Sequence, residues 1–103
     1  MVVSDINEPA VKETADRITA YGGVAHPYLL DVSDADAVER FADDVFFFFF
    51  LSDIVVNNAG IGVAGAFLDT PAEPFDRALV VNLGGVVNGC RAFARTLVAR
   101  GTG

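Results

Sequence analysis

Three short apolar runs recur along this chain. Each ends on an acid or an amide, and each is followed by residues at helical spacing. Val2-Val3-Ser4 leads to Asp5, Val24 to Leu30 leads to Asp31, and Asp53-Ile54-Val55-Val56 leads to Asn57. Short apolar runs bounded by turn residues are strand candidates. Strands that alternate with helices imply crossovers and a parallel sheet, because a hairpin cannot join parallel strands. Strands are therefore expected near residues 1–4, 24–30 and 53–56, the second despite Pro27, and helices near 9–21, 34–46 and 73–99. The order β-α-β-α-β-α makes this an α/β chain of a single, small domain over residues 1–103.

Each helix carries its own start signal. Asn7 caps the first, with Pro9 in its first turn, and Gly22-Gly23 ends it. Val11, Ala15 and Ile18 repeat at helical spacing between them. Ser33 caps the second, with Asp36 three residues on, and Val38, Phe41, Ala42 and Val45 form its apolar stripe. Thr70-Pro71-Ala72-Glu73 reads as a capping box for the third, although Pro74 argues for a later start. In this longest helix Phe75, Leu79, Leu83, Val86, Cys90, Phe93 and Leu97 form one continuous buried face, with Arg77, Asn88, Arg91 and Arg95 opposite. Asn82 stands at the edge of that face, followed by Gly84-Gly85. An amide with paired glycines inside a helix indicates a local distortion. The blander reading is an Asn bonded to water in a loosely packed helix.

Composition narrows the function classes. A formal charge of −7 opposes a nucleic-acid footprint and docking on anionic membranes. The apolar run from Val45 to Leu51 is too short to span a bilayer, and no signal-peptide pattern opens the chain. One cysteine and one histidine cannot build a usual zinc site, and a single cysteine fits a reducing, cytoplasmic compartment. Phe46 to Phe50 exceeds what the helix stripe requires. Such a run is a buried aromatic cluster, a stand-in for an undetermined loop, or an aromatic binding patch, and it is an aggregation hazard in any case.

The ends of the strands carry the candidate chemistry, since ligands of open parallel sheets bind outside the carboxyl ends. Asn57-Asn58-Ala59-Gly60 follows a β-branched run. It is either a polar crevice at a strand tip or an ordinary turn. Asp5 suits the adenosine ribose hydroxyls, and a carboxylate there repels a 2′-phosphate, favouring NAD over NADP. Its alternative role is to cap the first helix together with Asn7. Asp31-Val32 suits an adenine amino group and ring face, or is a plain strand end. Asp5, Asp31 and Asn58 are expected at one edge of the sheet. Gly60-Ile61-Gly62-Val63-Ala64-Gly65 matches G-x-G-x-x-G but is not a phosphate loop, because no helix follows it directly. Neither Tyr21 nor Tyr28 has a lysine four residues on.

Taken in order, Val2-Val3-Ser4-Asp5, Asp31-Val32, Asn57-Asn58-Ala59-Gly60 and Val81-Asn82-Leu83 resemble the short-chain dehydrogenase/reductase family along almost the whole chain. The resemblance implies a partial doubly wound, Rossmann-like parallel sheet without the family's first strand and its C-terminal strands. It implies that Asp5 and Ile6 hold the adenosine ribose, that Asp31 and Val32 hold adenine, and that Asn58, Ala59 and Gly60 line the cofactor ribose. It makes Asn82 the active-site asparagine, which kinks its helix and supports a water-linked proton relay. From Gly22 to Gly103 the chain is most similar to the dehydrogenase half of bacterial proteins that also carry an epoxide-hydrolase-like domain. The family's glycine-rich phosphate turn, catalytic serine and Tyr-x-x-x-Lys pair are not in this sequence. The implied function is therefore a fragment of an NAD(P)-dependent oxidoreductase acting on an alcohol or ketone, inactive alone. The alternative is a non-catalytic α/β module that packs or forms a homo-oligomer through its last helix. The family's first strand would separate residues 1–4 from 53–56, so unpaired edges predict a molten or aggregating chain.

Overall fold

The computed structural model describes residues 1–49 and 52–103. The chain forms two compact units, Met1–Asp31 and Val32–Gly103.

The first unit is a β-α-β turn of structure: β1 (Val2–Asp5), α1 (Glu8–Ala20) and β2 (His26–Leu29). β1 and β2 pair in parallel, with Val2 opposite His26 and Asp5 opposite Leu29. Pro27 is accommodated opposite Val3, because in a two-stranded sheet every strand has an open edge. Asn7 caps α1 as expected, its Oδ1 accepting from the Ala10 N–H at 2.9 Å. Val11 and Ala15 are buried beneath it. The helix ends in a Schellman arrangement. The Gly23 N–H donates to the Ile18 carbonyl and the Gly22 N–H to the Thr19 carbonyl, both at 3.0 Å. Gly22 takes φ +87°, a left-handed value that disfavours any residue with a Cβ.

In the second unit α2 runs from Ala35 to Phe49. Its cap is Asp34 rather than Ser33: the Ala37 N–H donates to Asp34 Oδ1 at 3.1 Å. Val38, Phe41, Ala42 and Val45 are buried, as the stripe requires. Phe41 meets Phe93 edge to face, with ring centroids 5.8 Å apart. Phe46 to Phe49 are 41–78 % exposed, which removes the buried-cluster reading for these four; Phe50 lies outside the described residues.

The expected helix over 73–99 is observed as α3 (Ala72–Leu79), a π-helical turn (Val80–Gly84) and α4 (Gly85–Arg100). Pro74 does not delay its start, because the first N–H groups of a helix have no intrahelical acceptor to lose. The capping box does not form. The Thr70 hydroxyl instead donates to the Ala66 carbonyl at 2.8 Å, closing the short 3₁₀ turn Phe67–Asp69. That turn, and a helix that begins only at Ala72, separate Gly65 from any helix, so the G-x-G-x-x-G match has no phosphate-loop context.

Besides these two caps, the strand over 53–56 and the helix face differ from expectation. Residues 53–56 are not a strand: among the described residues the sheet has two members, β1 and β2. The side chains keep a period of two, with Ile54 and Val56 exposed and Val55 half-buried, but a strand also requires a neighbour for its N–H and C=O groups. The buried face of the last helix is also different. Val81, Gly85 and Gly89 are buried, whereas Leu79, Leu83 and Cys90 are exposed. Phe93 keeps its place against Phe41, but the closest approaches to this helix are made at its glycines, which let backbone and short side chains come near.

Candidate functional site

In the first unit Asp5 closes β1, and Asp31 follows β2 after buried Leu30. The Leu30 N–H donates to the Asp5 carbonyl at 3.0 Å, so the two carboxylates share one edge of the sheet. Asp5 is exposed, and its Oδ1 accepts from the Asn7 N–H at 2.9 Å. This is the helix-entry role that the sequence left open for it. The second carboxylate oxygen has no partner among the described residues. Ile6 is exposed beside it.

In the second unit the site is organised by the helix that carries the π turn. Asn82 lies within that turn, and the helix is distorted at the asparagine, as the sequence indicates. Its side-chain amide is bonded twice to one residue. The Ile61 N–H donates to Asn82 Oδ1 at 2.8 Å, and Asn82 Nδ2 donates to the Ile61 carbonyl at 2.8 Å. This pair fixes which way the amide faces, since a flipped amide would set donor against donor. Gly60 stands next to the same oxygen: a Cβ there would lie 3.3 Å from Asn82 Oδ1. Asn58, Ala59 and Gly60 are exposed.

Further down the helix, Asn57 rests on Gly89. A Cβ at Gly89 would lie 2.0 Å from Asn57 Oδ1, and Asn57 Nδ2 donates weakly to Cys90 Sγ at 3.7 Å. Arg100 pairs with Asp53, and its Nη1 donates to the Ser52 carbonyl at 3.3 Å. Three stations on the helix thus hold residues 52–61. The linker before α2 is held by the same helix. Asn88 Nδ2 donates to the Val32 carbonyl at 2.9 Å, a Cβ at Gly85 would meet Val32 Cγ2 at 2.6 Å, and Arg77 Nη1 donates to Ser33 Oγ at 3.0 Å.

The structure therefore brings Asn82 together with Gly60 through Ile61, and brings Val32 to α4. Asn58 is not at a strand tip, because residues 53–56 are not a strand. Asn88 was placed on the solvent side by its polarity, and it is half-buried with a backbone partner. The sequence did carry a signal for this face: Gly85, Asn88 and Gly89 lie at helical spacing three and four apart. Two clefts of the described residues contain none of the candidate site residues. One is lined by Val45, Phe93 and Leu97, the other by Phe67, Leu68 and Phe75.

Comparison with known proteins places this arrangement. The family model described as "Enoyl-(Acyl carrier protein) reductase" matches residues 1–103. The chain is 68% identical over 103 residues to the "Probable oxidoreductase EphD" of Mycobacterium tuberculosis, covering all of this chain and 17% of that protein. A metagenomic short-chain oxidoreductase solved in complex with NADP superimposes with a TM-score of 0.89 at 30% identity, over 99% of this chain and 47% of that one. An NAD+-bound xylitol dehydrogenase does so with a TM-score of 0.91 at 28% identity, over 99% of this chain and 40% of that one. The chain spans less than half the length of each of these relatives. With the fold of a partial Rossmann-like sheet, a distorted helix at Asn82 and a family match from the first residue to the last, this chain is a member of the short-chain dehydrogenase/reductase family, an oxidoreductase family.

Proposed function

We propose that residues 1–103 are part of the nucleotide-binding domain of an enzyme that moves a hydride between a nicotinamide and a small alcohol or ketone, with NAD preferred to NADP. The observation that carries this reading is the double hydrogen bond between the Asn82 amide and Ile61, which ties a π turn to the residues directly after Asn57-Asn58-Ala59-Gly60. The donor set suits a dinucleotide. Asp5 has an oxygen to spare for a ribose hydroxyl. Asn58 offers both a donor and an acceptor. Ala59 and Gly60 are small and exposed, and a Cβ at Gly62 would meet nothing within 4 Å, so a sugar has room there. Asp31 and Val32 would take adenine, and Ile6 would flank the ribose with Asp5. The bound nicotinamide supplies or accepts the hydride.

Asn82 in this reading supports a water-linked proton relay, with its side chain held by Ile61. The NAD preference rests on the charge of Asp5 and on the absence of Arg or Lys beside it in the sequence. The 103 residues contain no Tyr-x-x-x-Lys pair, so no general acid with its lysine is present. The chain alone is expected to be inactive. NAD-linked alcohol oxidation above blank by the purified chain would contradict that. A cytoplasmic setting, on the single free thiol of Cys90, completes the proposal.

A titration of the purified chain with NAD and NADP, followed by amide chemical shifts, tests the cofactor reading. Shifts at Asp5, Val32 and Ala59 that saturate at lower NAD than NADP are expected. No saturable shift with either dinucleotide would sink it. One observation favours a second role: Leu79, Leu83 and Val98 leave apolar surface exposed on the last helix, which suits packing or self-association there. Sedimentation of wild type and Leu83→Glu would separate the two roles. A dimer that Leu83→Glu abolishes without altering nucleotide shifts supports both, and a monomeric wild type removes the second.

A further inference from the structure

We propose that Asn88, together with Gly85, is a positioning residue for the adenine end of the dinucleotide. The proposal rests on the cofactor reading above, in which Val32 lies against adenine. Val32 belongs to neither a helix nor a strand, so its geometry must come from its surroundings. It comes from the last helix. Asn88 reaches across 56 positions of sequence to bond the Val32 carbonyl at 2.9 Å, from a partly buried setting. Val32 Cγ2 and Cβ lie 2.6 and 3.1 Å from where a Cβ on Gly85 would be, so its side chain fills the space that any other residue at 85 would claim. Main chain and side chain are thus held from one helix, one turn apart. A β-branched side chain has few χ1 alternatives, so moving the Val32 backbone re-aims its methyl groups. Asn82 at Ile61 and Gly89 at Asn57 are separate stations of the same helix, and neither touches Val32. Changes at Asn88 or Gly85 therefore act on the adenine end through Val32 alone.

The test uses the purified 103-residue chain and the two halves of the cofactor, adenosine monophosphate and nicotinamide mononucleotide, each titrated against amide chemical shifts. Asn88→Asp keeps the volume and replaces the donor by an acceptor facing the Val32 carbonyl. Gly85→Ala pushes on the Val32 side chain and leaves the Asn88 donor in place. Either change is expected to weaken adenosine monophosphate roughly 3- to 10-fold, with nicotinamide mononucleotide altered by less than about twofold, the size of one lost hydrogen bond. Unchanged adenine binding, equal weakening of both halves, or loss of the fold in both variants would overturn the positioning role. Wild type that binds neither half would instead remove the cofactor reading itself. A folded Asn88→Asp or Gly85→Ala is sufficient to decide, since each acts on Val32 by its own route.

Discussion

In Met1–Asp31 one extended segment is held by another; in Val32–Gly103 an extended segment is held by a helix. β1 and β2 exchange backbone hydrogen bonds in parallel register. Those bonds use groups that every residue except proline carries, so the pairing tolerates changes of side chain. Residues 52–61 have no such ladder. They are fastened by Arg100 at Ser52 and Asp53, by Gly89 and Cys90 at Asn57, and by Asn82 at Ile61. Fasteners of this kind belong to particular side chains, or to the particular lack of one at Gly89. The first unit should therefore be robust to point changes and the second brittle.

The largest expected effect is in amide exchange. The Leu30 and His26 amides donate within and beside the ladder, while Ile54 and Val56 are exposed. Exchange at 54–56 should be faster than at His26 and Leu30 by on the order of a hundredfold, because local opening there breaks few bonds. Equal protection would show that 53–56 pairs as a strand. Next comes Gly89→Ala. Its Cβ would fall 2.0 Å from Asn57 Oδ1, so Asn57 must leave its seat. Overpacking of about 1–3 kcal/mol, toward the upper end here, outweighs the roughly 1 kcal/mol that alanine adds to a helix. A rise in thermal midpoint for Gly89→Ala would show that the close approach does not constrain this segment.

Asn82→Ala removes two hydrogen bonds from an exposed site, at about 0.5–1.5 kcal/mol each. The expected result is a loss of about 1–3 kcal/mol, read by denaturant titration, with faster exchange at Ile61 and none of this at Leu30. The smallest effect is in the first unit. Lys12 lies 2.8 Å from Glu8 one turn away and holds its carboxyl below the usual value of 4.5, while Glu8 holds the Lys12 amine above 10.5. A lowered acid contributes stability above its unfolded pKa and loses it as pH falls from about 4.5 through the lowered value. A raised amine loses its contribution as pH rises from about 10.5 through the raised value. Both groups are fully exposed, so Glu8→Gln should flatten the pH profile only slightly.

What could be read in advance divides along the same line. The alternation of elements, the Asn7 cap, the stripe of α2 and the distortion at Asn82 are local matters, set by residues within a turn or two of one another. The pairing of 53–56 is not local: its composition suits a strand, but a ladder depends on which segment lies alongside. The helix face differs from its periodicity for a related reason. Periodicity weighs large apolar residues such as Phe93, and it passes over Gly85 and Gly89, where the closest approaches occur because no side chain stands there. Thr70 and Ser33 satisfy cap patterns, yet the Thr70 hydroxyl donates to the Ala66 carbonyl and Asp34 takes the cap of α2.

The fastening of residues 52–61 also sets a constraint on length. The segment runs against the direction of the helix, so that positions 52–53, 57 and 61 meet helix positions 100, 89 and 82 in descending order. An extended chain advances about 3.3 Å per residue and a helix about 1.5 Å, so nine extended residues cover about 30 Å and eighteen helical residues about 27 Å. The two rulers agree only because their graduations stand near one to two. Deleting one residue between Asn57 and Ile61 would shift the register by about two helical positions, and a compensating deletion of two in the helix would turn its face by about 200°. Point substitutions at these stations can be repaired one at a time; a change of length cannot, so this stretch of chain should admit no insertion or deletion that does not also rebuild the helix beside it.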